Sequence, residues 1–465
     1  MPDQAMNRTS SLRGQQIAAY VAATPGRSLP AEVVDAAKKA LLDYIGVAIG
    51  AAHERVTVAV RRVAENWNAA GNAQIFLGGR STPGLAAFVN ATMAHAMDYD
   101  DVHTGGAGHP SGPCWSTALA FAGHYGYDEK AALAAFVTGF EVMARLGGGG
   151  PPGVGRSLQR RGFHPTSIFG RTGAAAVACA LLGLDEDRVA HAVGIAATTA
   201  GGLVGSFGTD SKPFHAGKAA MDGILAAQLA AEGFSAATHL YELDKGLLDA
   251  FIQNREVEVP PLDFDARWEL LGNAYKPYAC CRATQASTQA ARGLAAQVAG
   301  KKITKVKARV HPNALVTAGK LNPRTPLEGK FSVPFCIALG LNGYRAVATD
   351  FSAATMNNRA VMDIVPLVEL EAVEGQAPHS AHLDVFLDGG EHIHGDTDIV
   401  IGHPDNPMTW RDLRTKFDGL VEPILGAQKT AVLHDLLKDF ERPGSLQKTM
   451  TLLAGPSSST GAGMR

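Results

Sequence analysis

From residue 31 to residue 231 the sequence keeps returning to one texture: apolar residues at helical spacing, rich in Ala and Gly. Between Ala31 and Ala52, the residues Val33, Val34, Ala37, Leu41, Leu42 and Ile45 recur on one face, behind a Pro30 suited to a helix start. The same period marks Leu85–Met97, Ser116–His124, Glu129–Leu146, Thr172–Leu182, Asp187–Ala200 and Lys218–Ala231. Aromatic residues make up only 7% of the chain, so these helices must pack through small side chains, which let their axes approach closely. A dense all-helical body is expected. The alternating strand–helix rhythm and glycine-rich first turn of a nucleotide-binding Rossmann unit are missing.

The texture changes near Leu271. Lys302 to His311 alternates, with Val306, Ala308 and Val310 on one face and Lys305, Lys307 and Arg309 on the other, which predicts a strand. Leu383–Leu387, a turn at Asp388-Gly389-Gly390, and His392–Ile401 read as a hairpin. Short helical stretches lie around Cys336–Leu341 and Ala353–Asn358. Helical pattern returns behind a capping box spaced as Thr409 and Asp412, and runs through Leu413–Phe417 and Lys429–Phe440. The predicted fold is therefore mainly α, since 465 residues exceed one compact core. Residues 1–270 and 406–465 form a large helical domain from both chain ends, and residues 271–405 form a smaller α+β lid. The Ser/Gly-rich tail after Gly455 reads as disordered.

A formal net charge of −2 gives no general attraction to nucleic acid or to an anionic membrane, so neither is an expected partner. An anionic ligand would need a local cluster of basic groups. Met1–Arg13 is polar, without the apolar run of a signal segment, and Leu41–Ala52 is broken by Asp43 and too short to span a bilayer. Five cysteines, an odd number without framework spacing, point to a reducing cytoplasm.

Four segments concentrate residues able to do chemistry. The first runs from His95 through Asp98, Asp100, Asp101 and His103 to His109-Pro110-Ser111-Gly112. It admits a metal site, ordinary capping and surface charge, or an acid–base pair in which a carboxylate orients a loop histidine. No His-x-His or His-x₃-Glu pairing follows, so the acid–base reading leads. The second is Arg160 to Ser167, where His164 stands before Pro165 at a helix start, a plausible carboxylate seat if it is not purely structural. The third is Gly208 to Gly217, where Ser211 and Pro213 hold Lys212 in place and His215 follows. The fourth is Tyr275-Lys276-Pro277-Tyr278-Ala279-Cys280-Cys281-Arg282, at the composition boundary, where ligand sites are favoured. Adjacent cysteines make a poor metal clip, and packing is their simpler use. His392 and His394 share a strand face without a third ligand and read as solvated.

These segments, in this order, resemble the MmgE/PrpD family. The motifs are His95–Asp101 with His109-Pro-Ser-Gly, Gly162-Phe-His-Pro-Thr-Ser, Lys212-Pro-Phe-His-Ala-Gly, Lys276-Pro-Tyr-Ala-Cys-Cys-Arg and Gly329-Lys-Phe-Ser-Val-Pro-Phe. The family includes 2-methylcitrate dehydratase, cis-aconitate decarboxylase and iminodisuccinate epimerase. The resemblance implies a homodimer acting on a small polycarboxylate without metal, iron–sulfur cluster or organic cofactor. It places Asp98, His109, His164 and Lys212 as catalytic residues, with Lys276, Tyr278, Cys281 and His215 binding substrate. His109 would be the general acid/base, with Asp98 orienting its ring. Val102, Cys281 and Phe335 stand where decarboxylase-type members have Thr, His and Tyr, which ranks decarboxylation below the other two activities. Gln285 stands where many bacterial relatives have His. The leading expectation is a 2-methylcitrate dehydratase-like hydro-lyase, followed by an epimerase of an imino or amino polycarboxylate such as iminodisuccinate. A non-catalytic polycarboxylate-binding protein is the alternative from another class.

Overall fold

A computed structural model of the chain describes residues 12–148, 153–242, 245–252, 257, 259 and 261–455. The tail expected to be disordered lies outside these residues. Among the helices that build the body in the first half are α1 (Ala31–Gly50), α2 (Pro83–His95), α3 (Ser111–Tyr125), α4 (Glu129–Gly147), α5 (Pro165–Leu182) and α6 (Ser211–Ala231). Helices α2, α3, α5 and α6 are expected from their periodicity but begin two to seven residues earlier than the pattern suggests. Their first turns carry Pro, Ser, Gly and Lys rather than periodic apolar residues, and Pro at the first turn costs no hydrogen bond.

Close packing of small residues is what holds this body together. Helix α6 lies across both α2 and α5. A Cβ on Gly217 of α6 would sit 2.1 Å from Thr92 Oγ1 of α2, and one on Gly223 would sit 2.5 Å from Ala174 Cβ of α5. Gly139 of α4 meets α5 in the same way, 2.3 Å from Val177 Cγ2. No described helix is long and apolar enough to cross a membrane.

The second half supplies a four-stranded sheet. Its strands are β1 (Ile303–Val310), β2 (Val368–Ala372), β3 (Ala381–Leu387) and β4 (His392–Thr397), in the order β2-β1-β3-β4. β1 runs parallel to β2 and antiparallel to β3, and β3–β4 is the expected hairpin, with β4 stopping at Thr397 rather than Ile401. β2 is not anticipated, because five residues with two glutamates carry little strand propensity. Val306, Ala308, Val310, Leu383 and Val385 form the inner face and meet Ala290 and Leu294 of helix α7 (Gln285–Val298) in a second apolar cluster. Helix α8 (Val333–Leu341) divides its apolar residues between the two clusters: Phe335 and Cys336 belong to the first, Val333 and Ile337 to the second.

Helix α9 (Trp410–Leu425) returns to the body. Thr409 and Asp412 form the capping box at its start. It packs on α1, where a Cβ on Gly46 would stand 3.0 Å from Phe417, and Lys416 makes a buried 2.6 Å ion pair with Asp43.

Gly223→Ala tests how tightly α5 and α6 meet. Helix propensity alone favours alanine by about 1 kcal/mol, whereas overpacking costs about 1–3 kcal/mol. The expected outcome is a lower denaturation midpoint in urea. A midpoint at or above that of the parent would show that the two helices part freely.

Candidate active site

The segment after α2 turns sharply because Asp98 adopts a left-handed backbone, φ +52°. Its Oδ1 accepts from Lys212 Nζ at 2.5 Å and from Lys276 Nζ at 3.1 Å, and its backbone oxygen accepts from Lys276 Nζ at 2.7 Å. Oδ2 is buried and has no hydrogen-bond partner. Burial alone would raise this carboxyl, but the Lys212 and Lys276 charges outweigh it and hold Asp98 well below the usual range. Lys212 lies in the first turn of α6 rather than ahead of it, with Phe207 and Phe331 rings 5.0 and 5.5 Å from its ammonium. Lys276 is fully buried.

A relay of hydrogen bonds sets the tautomers. Lys212 Nζ has only protons to give, so His95 Nε2, 3.1 Å away, accepts. His95 Nδ1 then carries the ring proton and donates to Asp100 Oδ2 at 2.8 Å. His109 Nδ1 lies 2.7 Å from the Asp101 carbonyl oxygen, which can only accept. The ring proton is therefore on Nδ1, and Nε2 keeps a free lone pair. Burial, reinforced by Lys276 and only partly opposed by Asp100, holds His109 well below the normal imidazole range. His164 is held down likewise by burial and by Lys212. Both rings are neutral near pH 7 and able to take a proton. The three rings of His95, His109 and His164 lie within 6.3 Å of one another.

The local fold aims these groups. The short strand Val102–His103 pairs with Asn273–Ala274, which brings Lys276 under Asp98. Thr166 Oγ1 in the first turn of α5 accepts from the His109 backbone at 3.0 Å, and His164 is the residue just before that helix. Asp101 accepts from Ser111 Oγ and from Asn273 Nδ2 at 2.7 Å, and burial together with nearby Asp43 pushes it up to about 7.

A cavity of about 330 Å³ opens over Asp98, His109, His164 and Lys212, and Cys281 and Val102 share its wall. Burial and Asp98 push the Cys281 thiol up to about 11, so it is protonated and no nucleophile. The other expected binding residues do not reach this cavity. Lys276 lies beneath Asp98. His215 sits behind His164, the two Nδ1 atoms 3.0 Å apart, and burial lowers it to about 4. Tyr278, expected beside the substrate, instead lines a different cavity, where Arg292 donates to its hydroxyl at 3.3 Å. The residue that orients His109 also differs from expectation. Asp98 is occupied by lysines, and the Asp101 carbonyl and Asp100, 3.5 Å away, do that work. Gln285 is a fully buried clamp that accepts from Tyr278 N and donates to Tyr278 O and Cys280 O, and Phe335 is buried in the core. Of the departures from the decarboxylase pattern, only Val102 and Cys281 touch the cavity.

Ligand atoms of His95, His109 and His164, or of His95, Asp98 and Asp100, lie within 4.8 Å of one another and could hold a metal ion. Both His95 nitrogens are already engaged, and the Lys212 ammonium stands at the ring atom an ion would need. A divalent cation would have to displace it. Sequence reasoning placed Arg282 in the fourth segment without giving it a role and missed Arg156, His311, His379 and His403; all five line the far part of the cavity. One signal was available: the chain has four His-Pro dipeptides, at His109, His164, His311 and His403, and all four histidines face this cavity.

Fold and site together define a mainly helical protein in which neutral, hydrogen-bonded histidines and Lys212, paired with Asp98, border one cavity. The chain belongs to the MmgE/PrpD family: the family's N-terminal domain matches residues 15–260 and its C-terminal domain residues 278–441. It is similar to human cis-aconitate decarboxylase, with 28% identity over 396 residues, covering 81% of each chain. The cis-aconitate decarboxylase-like protein oryM of Aspergillus oryzae is 24% identical over 464 residues, 92% of this chain and 94% of its own. Cis-aconitate decarboxylase of Aspergillus terreus is 24% identical over 462 residues, covering 92% and 93%.

The lowered histidines can be read directly. In a side-chain NMR titration, His109 and His164 should keep neutral-ring shifts from about pH 8 down to about pH 6, where a free imidazole is mostly protonated. Either ring titrating near its ordinary value would show that burial does not control it.

Proposed function

We propose that this protein is a lyase or isomerase that moves a proton on the carbon next to a carboxylate of a small polycarboxylate, foremost as a 2-methylcitrate dehydratase-like hydro-lyase. The observation that carries the reading is the His109 tautomer. A ring fixed by the Asp101 carbonyl presents a neutral Nε2 to a cavity that also holds an ammonium group. Carbon acids of this kind need a base and a cation together, because the carboxylate must absorb the charge left by the proton.

In the dehydration, His109 Nε2 takes the α-proton, and Lys212, held in place by Asp98 and His95, faces the carboxylate that gains charge. The C–O bond to the neighbouring hydroxyl breaks, the now protonated His109 gives its proton to the leaving oxygen so that it departs as water, and a C=C bond remains. Epimerisation uses the first half of this sequence and returns the proton to the opposite face. Decarboxylation of cis-aconitate is a second reading, favoured by the names of the relatives. Val102 and Cys281 in the cavity wall supply neither hydroxyl nor imidazole for it, and it ranks behind dehydration.

The deciding experiment incubates the protein with 2-methylcitrate, citrate, cis-aconitate or iminodisuccinate in D₂O and follows the products by proton NMR. Loss of water supports the hydro-lyase, exchange at the α-carbon without loss of water the epimerase, and loss of CO₂ the decarboxylase. Tight binding without any turnover would make the chain a binding protein and end the lyase reading.

With the best substrate, His109→Gln should lower kcat by about 10²-fold or more, the usual scale for a general base. Near-normal turnover would remove His109 from the mechanism. Lys212→Ala should depress kcat more than it raises KM if the ammonium meets charge that grows in the transition state. Lys212→Arg should not rescue it, because a planar guanidinium cannot sit between Asp98 and His95. Activity should also survive exhaustive EDTA treatment. Loss that one divalent ion restores would place a metal at the histidines.

A further inference from the structure

The cavity has a second polar end that the proton chemistry does not use. Arg282 opens the short 3-10 turn Arg282–Thr284 ahead of α7. Its two terminal nitrogens, Nη1 and Nη2, are buried and have no hydrogen-bond partner among the described residues. Arg156, on the helix Val154–Arg160, lines the same cavity and meets only neutral acceptors: Gln159 Oε1 at 3.3 Å and the Thr104 carbonyl at 3.5 Å. Among the described residues Arg156 and the Cys281 thiol are the groups that shift Arg282, His379 and His403 lie near it, and no carboxylate pairs with it.

The surroundings tell the same story. Burial, followed by Arg156, pushes Arg282 down to about 10. His379 is lowered by burial and by Arg282, and His311 by burial and by Arg156. His403 is lowered to about 4 by burial, His379 and Arg282. The carboxylates that oppose these shifts, Glu374 near His311 and Asp405 near His379 and His403, are outweighed. A buried cation without an acceptor is an unfavourable arrangement unless another charge arrives to meet it. Lys212 and Lys276 already have Asp98, whereas no carboxylate among the described residues pairs with Arg282.

We propose that Arg282, with Arg156 beside it, is the seat of a second carboxylate of the substrate, remote from the carbon where the proton moves. The inference rests on the polycarboxylate reading above and deepens it. A guanidinium offers two parallel N–H groups that match the two oxygens of a carboxylate. The one cavity of about 330 Å³ joins this end to Lys212 and His109, so a ligand with acid groups on successive carbons can engage both ends. A monocarboxylate can meet only one of the two ends at a time.

Calorimetric binding of tricarballylate, an unreactive tricarboxylate, tests this without catalysis, with butyrate and inorganic phosphate as comparisons. Tricarballylate should bind the parent protein, and Arg282→Gln should weaken it by about tenfold or more, on the scale of a charge-assisted pair. Arg282→Lys, which keeps the charge but not the fork, should fall between them. Butyrate, which can meet only one end, should bind the parent more weakly than tricarballylate. Circular dichroism and the melting temperature establish that each variant is folded. Should Arg282→Gln fail to fold, the Arg282→Lys comparison decides alone, and unchanged tricarballylate affinity there overturns the proposal. Equal affinity in a folded Arg282→Gln, no tricarballylate binding to the parent, or binding of phosphate in preference to every carboxylate overturns it too. The two readings fail separately. Tricarballylate held through Arg282 without turnover of any candidate substrate leaves the subsite and removes the lyase. Turnover with kcat/KM unchanged in Arg282→Gln leaves the lyase and removes the subsite.

Discussion

Two ammonium groups share one carboxylate oxygen of Asp98, and much of the surrounding structure exists to keep them there. Lys212 arrives on the first turn of α6, Lys276 on the segment after a two-residue ladder, and Asp98 itself bends through a left-handed backbone to meet both. Breaking a buried ion pair by removing one partner costs about 3–5 kcal/mol, and here a single removal would strand two cations. The same contact aligns Lys212 with His95 and, through His95, with Asp100. Chain ends contribute as well: Lys416 of α9 donates to the Tyr99 carbonyl one residue beyond Asp98, at 2.6 Å. The site is therefore fixed from several distant parts of the sequence at once.

That arrangement divides labour along the cavity. At the inner end each lysine has a carboxylate partner, each histidine is kept neutral by burial, and His95 and His109 are bonded in defined tautomers. Such an end is suited to moving protons, because its groups are positioned before a ligand enters. At the outer end the cations are uncompensated, which suits it to attracting an anion. The helical body supplies most of the inner end, while α7, the end of β1 and the start of β3 supply much of the outer one.

How much of this can be read from the sequence depends on whether the signal is local. The helices of the body are legible because apolar residues recur every three or four positions, although their starts are not, since Pro83, Ser111, Pro165 and Ser211 interrupt the period where the helix begins. The segments around Asp98, His109, His164 and Lys212 stand out as dense polar clusters, and the structure brings all four to one cavity. Pairings are another matter. That Asp98 serves the lysines rather than His109, and that Tyr278 points away, follow from side-chain directions no spacing reveals. Arg156 sits in a short helix with nothing unusual about it. The four His-Pro dipeptides are the exception, a local signal with a physical reason: the residue before proline is extended, so its side chain projects from the start of a turn or helix instead of packing along one.

The glycine contacts of the body bear on how such a protein can change over generations. Where α6 crosses α2 and α5, neither Gly217 nor Gly223 has space for even a methyl group, so the helices carrying Lys212, His95 and His164 cannot shift by small steps. Variation that alters which acid fits has to enter from the opposite wall, through positions such as Cys281, Ala283 and Ala286, where side chains face open volume. A lineage built this way would hold its proton chemistry constant while trading one small acid for another.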